Sequence, residues 1–204
     1  MDVDSTLITG EVVEMLAARA GSEELVTEIT ERAMRGELDF AASLHERVAT
    51  LAGLPVSVFE DVLAEVELSP GAVELIAELA VRDWPVGLVS GGFIEIVAPL
   101  AAQLGITLTR ANRLEVLDGR LTGRVSGDVV DRAAKAVTLR EYAARVGLPI
   151  TRTVAIGDGA NDIDMVTAAG FGIAYNAKPL LCAAADAVVR DRLDAVLALP
   201  VFTA

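Results

Sequence analysis

Cysteine is almost absent from this sequence: Cys182 stands alone, so neither an internal disulfide nor a cysteine-based metal centre can form within the chain. It lies in the alanine-rich run LLCAAADAVV, where a thiol reads as a buried and inert side chain. Histidine is as scarce, and the single His45 is read as structural or exposed. Basic charge is also short, with 17 Lys and Arg against 30 Asp and Glu. The resulting net charge of −13 argues against nucleic acid or an anionic membrane as partner, because phosphate backbones are bound by basic patches. A small anion remains a feasible ligand wherever local donors or a metal reverse the field. No run approaches the roughly 20 consecutive apolar residues of a membrane span. The start shows no basic segment followed by an apolar one, so the cytoplasm is the expected compartment.

Apolar residues, by contrast, make up 53% of the 204, with 23% charged, which excludes intrinsic disorder and gives enough material for a real core. Residues 11–68 carry apolar positions at helical spacing in EVVEMLAARA, SEELVTEITERAM and FAASLHERVATL, with Gly21 and Gly36 as stops and Ser22 as an N-cap. After Ser69-Pro70, read as a cap and first-turn proline, the pattern changes. Short apolar runs at 85–89, 153–156, 171–174 and 187–189 alternate with helices predicted over 72–82, 94–103, 133–146 and 162–169. A hairpin is expected in NRLEVLDGRLTGRV, turning at Asp118-Gly119. Apolar strands separated by helices predict an α/β fold, a Rossmann-like parallel sheet covered on both faces. The expected organisation is a core of residues 1–10 and 69–204 with a helical block, the cap of the family resembled below, inserted over 11–68.

In open parallel sheets, sites gather at the carboxyl ends of the strands. Val86-Gly87-Leu88-Val89 runs into Ser90-Gly91-Gly92, a hydroxyl and glycine amides at a strand end and helix start, which suits an anion and equally suits a plain turn. The strand at 153–156 runs into GDGAND, whose Asp158 and Asp162 are hard oxygen donors suited to Mg²⁺, although Asn161 or Asp162 could simply cap the next helix. Lys135 lies in an otherwise apolar helix, where a lysine ordinarily keeps its charge in solvent. Asp2-Val3-Asp4-Ser5-Thr6 opens the chain, and alone it reads as a charged terminus.

In chain order, DxDxT, a strand-end serine, a lysine and GDxxND resemble the haloacid dehalogenase superfamily, and the second aspartate points to its phosphatase branch. DVDSTL, ERAMRGELDF, LHERV, VSGGF, ANRLEVLDGRLTG, VAIGDGANDIDM and NAKP resemble the phosphoserine phosphatases of that superfamily, from Asp2 to about Arg190. The resemblance implies hydrolysis of O-phospho-L-serine through an aspartyl-phosphate on Asp2, with Asp4 as proton donor and acceptor. It implies Mg²⁺ held by the Asp2 carboxylate, the Asp4 carbonyl and Asp158, with Asp162 orienting Lys135 or a metal-bound water. Ser90, Gly91 and Lys135 would bind phosphoryl oxygens. In the cap, Glu11 matches a reader of the substrate ammonium and Arg47 a partner for its carboxylate, while Met34 and Phe40 match apolar residues closing over the site and Asn161 one near the substrate. Taken without that resemblance, Glu11 is a first-turn helix acid, Arg47 a solvated side chain, and Met34 and Phe40 helix core. Transfer of the phosphoryl group to homoserine, action on another small phosphomonoester, or an inactive binding chain are the rival functions. A last expectation concerns Met1, the sole residue ahead of Asp2: the first core strand reads as truncated, leaving ladder groups of its neighbours unpaired.

Overall fold

The computed structural model describes residues 1–203, apart from the side chain of Met34. After an irregular stretch to Gly10 come helices α1 (Val12–Ala20), α2 (Glu23–Met34), α3 (Phe40–Ala49) and α4 (Val58–Glu65). Helix α1 buries Val12, Val13, Leu16 and Ala17 on one face and stops at Gly21, whose φ of 66° is left-handed. Asp39 caps α3 by accepting the Ala42 amide, whereas the Ser22 hydroxyl caps nothing and donates to Thr50 instead.

Helix α5 (Ala72–Val81) follows, and its start departs from the expected serine cap. Gly71, at φ 84°, holds the N-cap position, while Ser69 closes a turn onto the Ala72 amide. The physical reason is the Asp194 carboxylate, which stands 2.2 Å from where a Cβ on Gly71 would lie, so only glycine fits. The rest alternates: β1 (Gly87–Phe93), α6 (Ile94–Gln103), the hairpin β2 (Leu108–Leu117) and β3 (Arg120–Ser126), α7 (Arg132–Arg145), β4 (Val154–Gly157), α8 (Ile163–Ala168), β5 (Phe171–Tyr175), α9 (Pro179–Cys182), β6 (Ala187–Val189) and α10 (Pro200–Thr203). Asp118 and Gly119 both take positive φ, 51° and 74°, as a two-residue hairpin requires.

Strands β1 and β2 pair in parallel, β2 and β3 antiparallel, and β4, β5 and β6 in parallel. The two half-sheets are joined by the opening residues. The Met1 ammonium donates to the Gly87 carbonyl at 2.8 Å, the Val89 amide to the Met1 carbonyl at 3.0 Å, and the Asp2 amide to the Ile156 carbonyl at 3.0 Å. Residues 1–2 thus run parallel between β1 and β4, and Val3 is fully buried beside them. The expected unpaired ladder is therefore only partly present: Gly87, Val89 and Ile156 have partners. Behind Met1 a cavity of about 570 Å³ extends between the amino ends of β1 and β4, lined by Val86, Val154 and Phe171 with Leu75 and Tyr142 above and below.

Helix α3 and the segment that follows it rest on the hairpin. The Gly53 amide donates to Leu121, the Leu121 amide to Leu54, and the Val56 amide to Gly119. Gly123 in β3 makes this approach possible, because a Cβ there would lie 3.0 Å from Ala52 Cβ and 3.1 Å from the Ala49 carbonyl. Cys182 is half-buried rather than fully packed, with its thiol donating to the Ala177 carbonyl, since α9 is a single exposed turn. Among the described residues no helix is long and apolar enough to cross a membrane.

Candidate active site

The carboxyl ends of β1 and β4 and the turn after Val3 bring Asp2, Asp4, Ser90, Lys135, Asp158 and Asp162 together. Lys135 is at their centre and fully buried, deeper than its sequence context predicts. Its Nζ lies 2.7 Å from Asp2 Oδ2 and 2.7 Å from Asp162 Oδ1. Lys135 falls in the first turn of α7 because Asp131 caps that helix, accepting the Ala134 amide through its side chain and the Lys135 amide through its carbonyl.

Asp162 is held from both sides. Its Oδ2 accepts the Asp158 and Gly159 amides at 3.2 and 3.1 Å, while Oδ1 takes Lys135. Gly157 lets it approach, since a Cβ there would stand 2.4 Å from Asp162 Cγ. Asp158 accepts the Thr6 hydroxyl through Oδ1, and among the described residues its other oxygen has no protein donor. Asp4 accepts the Val12 amide at the start of α1 through Oδ1 and the Ser90 hydroxyl through Oδ2, at 2.8 Å each. The Ser90 oxygen in turn accepts the Gly92 amide. A side chain on Gly92 would meet Asp4 Oδ2 at 2.5 Å, so the second glycine is what permits this contact.

Burial dominates the electrostatics. It pushes the Asp2 carboxyl well above its usual range, aided by Asp162 and opposed by Lys135. Burial and Asp162 push Asp158 up to about 6. On Lys135 burial works against the charge, but Asp2 and Asp162 outweigh it and hold the ammonium firmly protonated. Burial also pushes the Met1 amine, which donates to the Gly87 carbonyl, down to about 6. Negative charge is therefore under-compensated, and one oxygen each of Asp2, Asp158 and Asp162 lies within 4.8 Å of the others. Hard oxygen donors with excess negative charge, one of them free on Asp158, fit a divalent cation. Asp162, with both oxygens engaged by protein donors, suits a bracing role better than a ligating one.

Helices α1 and α3 close the site from the other side. Glu11, just before α1, accepts the Ser5 hydroxyl at 3.0 Å, and burial together with the nearby Asp4 pushes its carboxyl up to about 7. Arg47 is half-buried in α3 and feels the charges of Glu11 and Asp4, with burial lowering its pKa. Neither Glu11 nor Arg47 has an ion-pair partner among the described residues. The Phe40 ring lies over Gly91, its Cζ 2.8 Å from where a Cβ would stand. Asn161 sits in the loop after β4, with its carboxamide oxygen against Gly159. The side chain of Met34 lies outside the described residues, and His45 is exposed on α3.

Three residues not singled out from the sequence belong to this arrangement. Thr6 holds Asp158, Gly92 admits Asp4, and Ser5, at a strained φ of 54°, holds Glu11. The repeated glycine and the threonine of DxDxT were visible signals for the first two; a serine in a left-handed turn carries none.

The raised Glu11 value gives a testable sign. Its folded pKa of about 7 exceeds the ordinary 4.5, so its contribution to stability is fully present below about pH 4.5 and is lost as pH rises through about 7. With chelator present, the urea midpoint is expected to fall between pH 5 and 8, and to fall less in Glu11→Gln. An equal decline in the variant would contradict this environment for Glu11.

The family model described as haloacid dehalogenase-like hydrolase matches residues 1–167. A phosphoserine phosphatase of Streptomyces coelicolor is 58% identical over 198 residues, covering 97% of this chain and 48% of that protein. This chain thus spans about half the length of that relative. A phosphoserine phosphatase of Streptococcus thermophilus is 54% identical over 181 residues, 89% of this chain and 84% of the other. Among solved structures, a phospho-aspartyl intermediate analogue of phosphoserine phosphatase superposes with a TM-score of 0.90 at 42% identity, covering 97% of this chain and 95% of that one.

Proposed function

Because the chain belongs to the haloacid dehalogenase-like hydrolases, we propose that it hydrolyses O-phospho-L-serine to L-serine and phosphate through a phosphoryl group carried on Asp2. The observation that carries the substrate is the pair Glu11 and Arg47: opposite charges, both half-buried, both without an ion-pair partner among the described residues, beside a cluster of carboxylates. A zwitterionic amino acid supplies the complement, its ammonium to Glu11 and its carboxylate to Arg47. Relatives named as phosphoserine phosphatases support the same reading.

In the first step an oxygen of Asp2 attacks phosphorus, the bond from phosphorus to the serine oxygen breaks, and Asp4 delivers a proton to that oxygen. In the second, water attacks phosphorus, Asp4 takes its proton, and phosphate leaves with the Asp2 carboxylate restored. Ser90, already donating to Asp4 at 2.8 Å, and the Gly91 amide face the transferring group with Lys135, which offsets charge on its oxygens. Residues 11–68 act as a cap whose Phe40 rests on the Gly91 loop and excludes water from the aspartyl-phosphate. Mg²⁺, held by Asp2, the Asp4 carbonyl and Asp158, would neutralise phosphoryl charge and polarise phosphorus when bound. Asp162 keeps Lys135 in place.

The test compares phosphoserine with phosphoethanolamine, which lacks the carboxylate, in the presence of Mg²⁺ and with and without homoserine. Phosphoserine is expected to be favoured in kcat/KM by about 10²-fold, the scale of a buried charge pair left incomplete, and Arg47→Leu to erase most of that preference. Faster turnover of phosphoethanolamine would overturn the Arg47 assignment, and phosphohomoserine as the main product would replace hydrolysis by transfer.

A further inference from the structure

Asn112 lies on β2 with 1% of its surface exposed, and nothing in the proposed chemistry uses it. Its Nδ2 donates to the Gly91 carbonyl at 2.8 Å, and its Oδ1 accepts the Val130 amide at 2.8 Å. These partners belong to the two elements that face the phosphoryl group. Gly91 is the middle of Ser90-Gly91-Gly92, and Val130 immediately precedes Asp131, the cap of the helix that carries Lys135. The strand pairing explains why a side chain is needed here. Between the pairs Val89 with Arg110 and Phe93 with Asn112 the register of β1 against β2 shifts, so β1 bulges at residues 90–92 and the ladder is interrupted. The carboxamide spans that gap.

We propose that Asn112 is a positioning residue for the phosphate site: one planar carboxamide holds the Gly91 peptide and the start of α7 at a fixed separation, and so sets where the Gly91 amide stands relative to Lys135. This rests on the anion-binding role assigned to that loop. The chemistry selects asparagine, since the Gly91 carbonyl needs a donor and the Val130 amide needs an acceptor on the same short side chain. An ionised carboxylate supplies only acceptors, and leucine supplies neither.

The experiment measures inorganic phosphate binding calorimetrically with Mg²⁺ present, alongside phosphoserine kinetics, for the parent chain, Asn112→Leu and Asn112→Asp. Both variants are expected to weaken phosphate binding about tenfold or more at pH 7.5, as expected when two buried polar groups lose their partners, while the preference for phosphoserine over phosphoethanolamine persists. Asn112→Asp, measured relative to the parent, is expected to regain phosphate affinity as pH falls toward 5, because a protonated carboxyl both donates and accepts; Asn112→Leu should not recover. If both variants bind phosphate as the parent does, or if affinity falls only in proportion to the folded fraction with no recovery for Asn112→Asp, the proposal is wrong. A parent that binds phosphate but turns over no phosphoserine would sink the proposed substrate and leave this readout intact. A parent that binds no phosphate would sink both.

Discussion

Asp2→Asn is expected to lower phosphoserine turnover by at least about 10⁴-fold, the scale of removing a nucleophile that acts as one unit with its neighbours. The substitution is nearly isosteric, so the Val3 amide contact to Oδ1 can persist while the attacking oxygen becomes that of a poorly nucleophilic amide. Stability should move the other way. Burial and Asp162 already make the Asp2 charge unfavourable, and after the change Lys135 still has Asp162 as partner at 2.7 Å. Thermal unfolding with chelator present is therefore expected at an unchanged or higher temperature. Acid-quenched mass spectrometry supplies the chemical check: phosphoserine should add a hydroxylamine-sensitive phosphoryl group to the amino-terminal peptide of the parent and not of Asp2→Asn. Residual turnover above about 1% of the parent would show that another group forms the covalent intermediate or that none forms.

Lys135→Met is expected to be the most damaging single change to the folded state, by about 3–5 kcal/mol, because it strands buried carboxylates without their cation. Asp2 and Asp162 are 3% and 0% exposed, and Lys135 sits 2.7 Å from each. Among the described residues, that ammonium is the one cation in contact with either carboxylate. The cause can be isolated by a double-mutant cycle. Adding Asp162→Asn to Lys135→Met should recover part of the loss, whereas Asp162→Asn alone should destabilise, because its NH2 would face either the Lys135 ammonium or the Asp158 and Gly159 amides. Additive losses would mean that packing of the lysine stem, not charge, carries the effect. Turnover should be lost in the Lys135→Met variant whether or not stability is recovered, since the phosphoryl oxygens lose their cation as well.

The alternation of short apolar runs with helices was legible because β1, β4 and β5 are buried almost throughout, and such runs carry no competing period. The observed strands begin and end within a few residues of those runs, and the hairpin turns at Asp118-Gly119 where two positive φ values demand those residue types. The start of α5 was not legible, since the feature that fixes it, Asp194, is more than a hundred residues away in sequence. The site divides along the same line. Asp2, Asp4, Ser90, Asp158 and Asp162 were legible only as a set in chain order that resembles a family motif, since singly they read as a charged terminus, a turn or a helix cap. Lys135 reads as a solvated helix residue until its two carboxylates are seen around it. Glu11 and Arg47 looked like ordinary helix charges because isolation from ion-pair partners is a property of three-dimensional surroundings. Asn112 gave no signal because the bulge it spans exists only in the pairing of β1 with β2.

The seam between the half-sheets has a consequence for how activity is lost. Asp2 rides on residues whose backbone is anchored by the bonds to Gly87, Val89 and Ile156. The buried core runs straight across this line, joining Leu88 of β1 to Ile156 of β4 and Ile173 of β5, and Val89 to Ala155, so heating should melt the two halves together rather than part them. Inactivation should then coincide with loss of helical signal, the behaviour of a seam welded by its packing rather than of a joint that opens first.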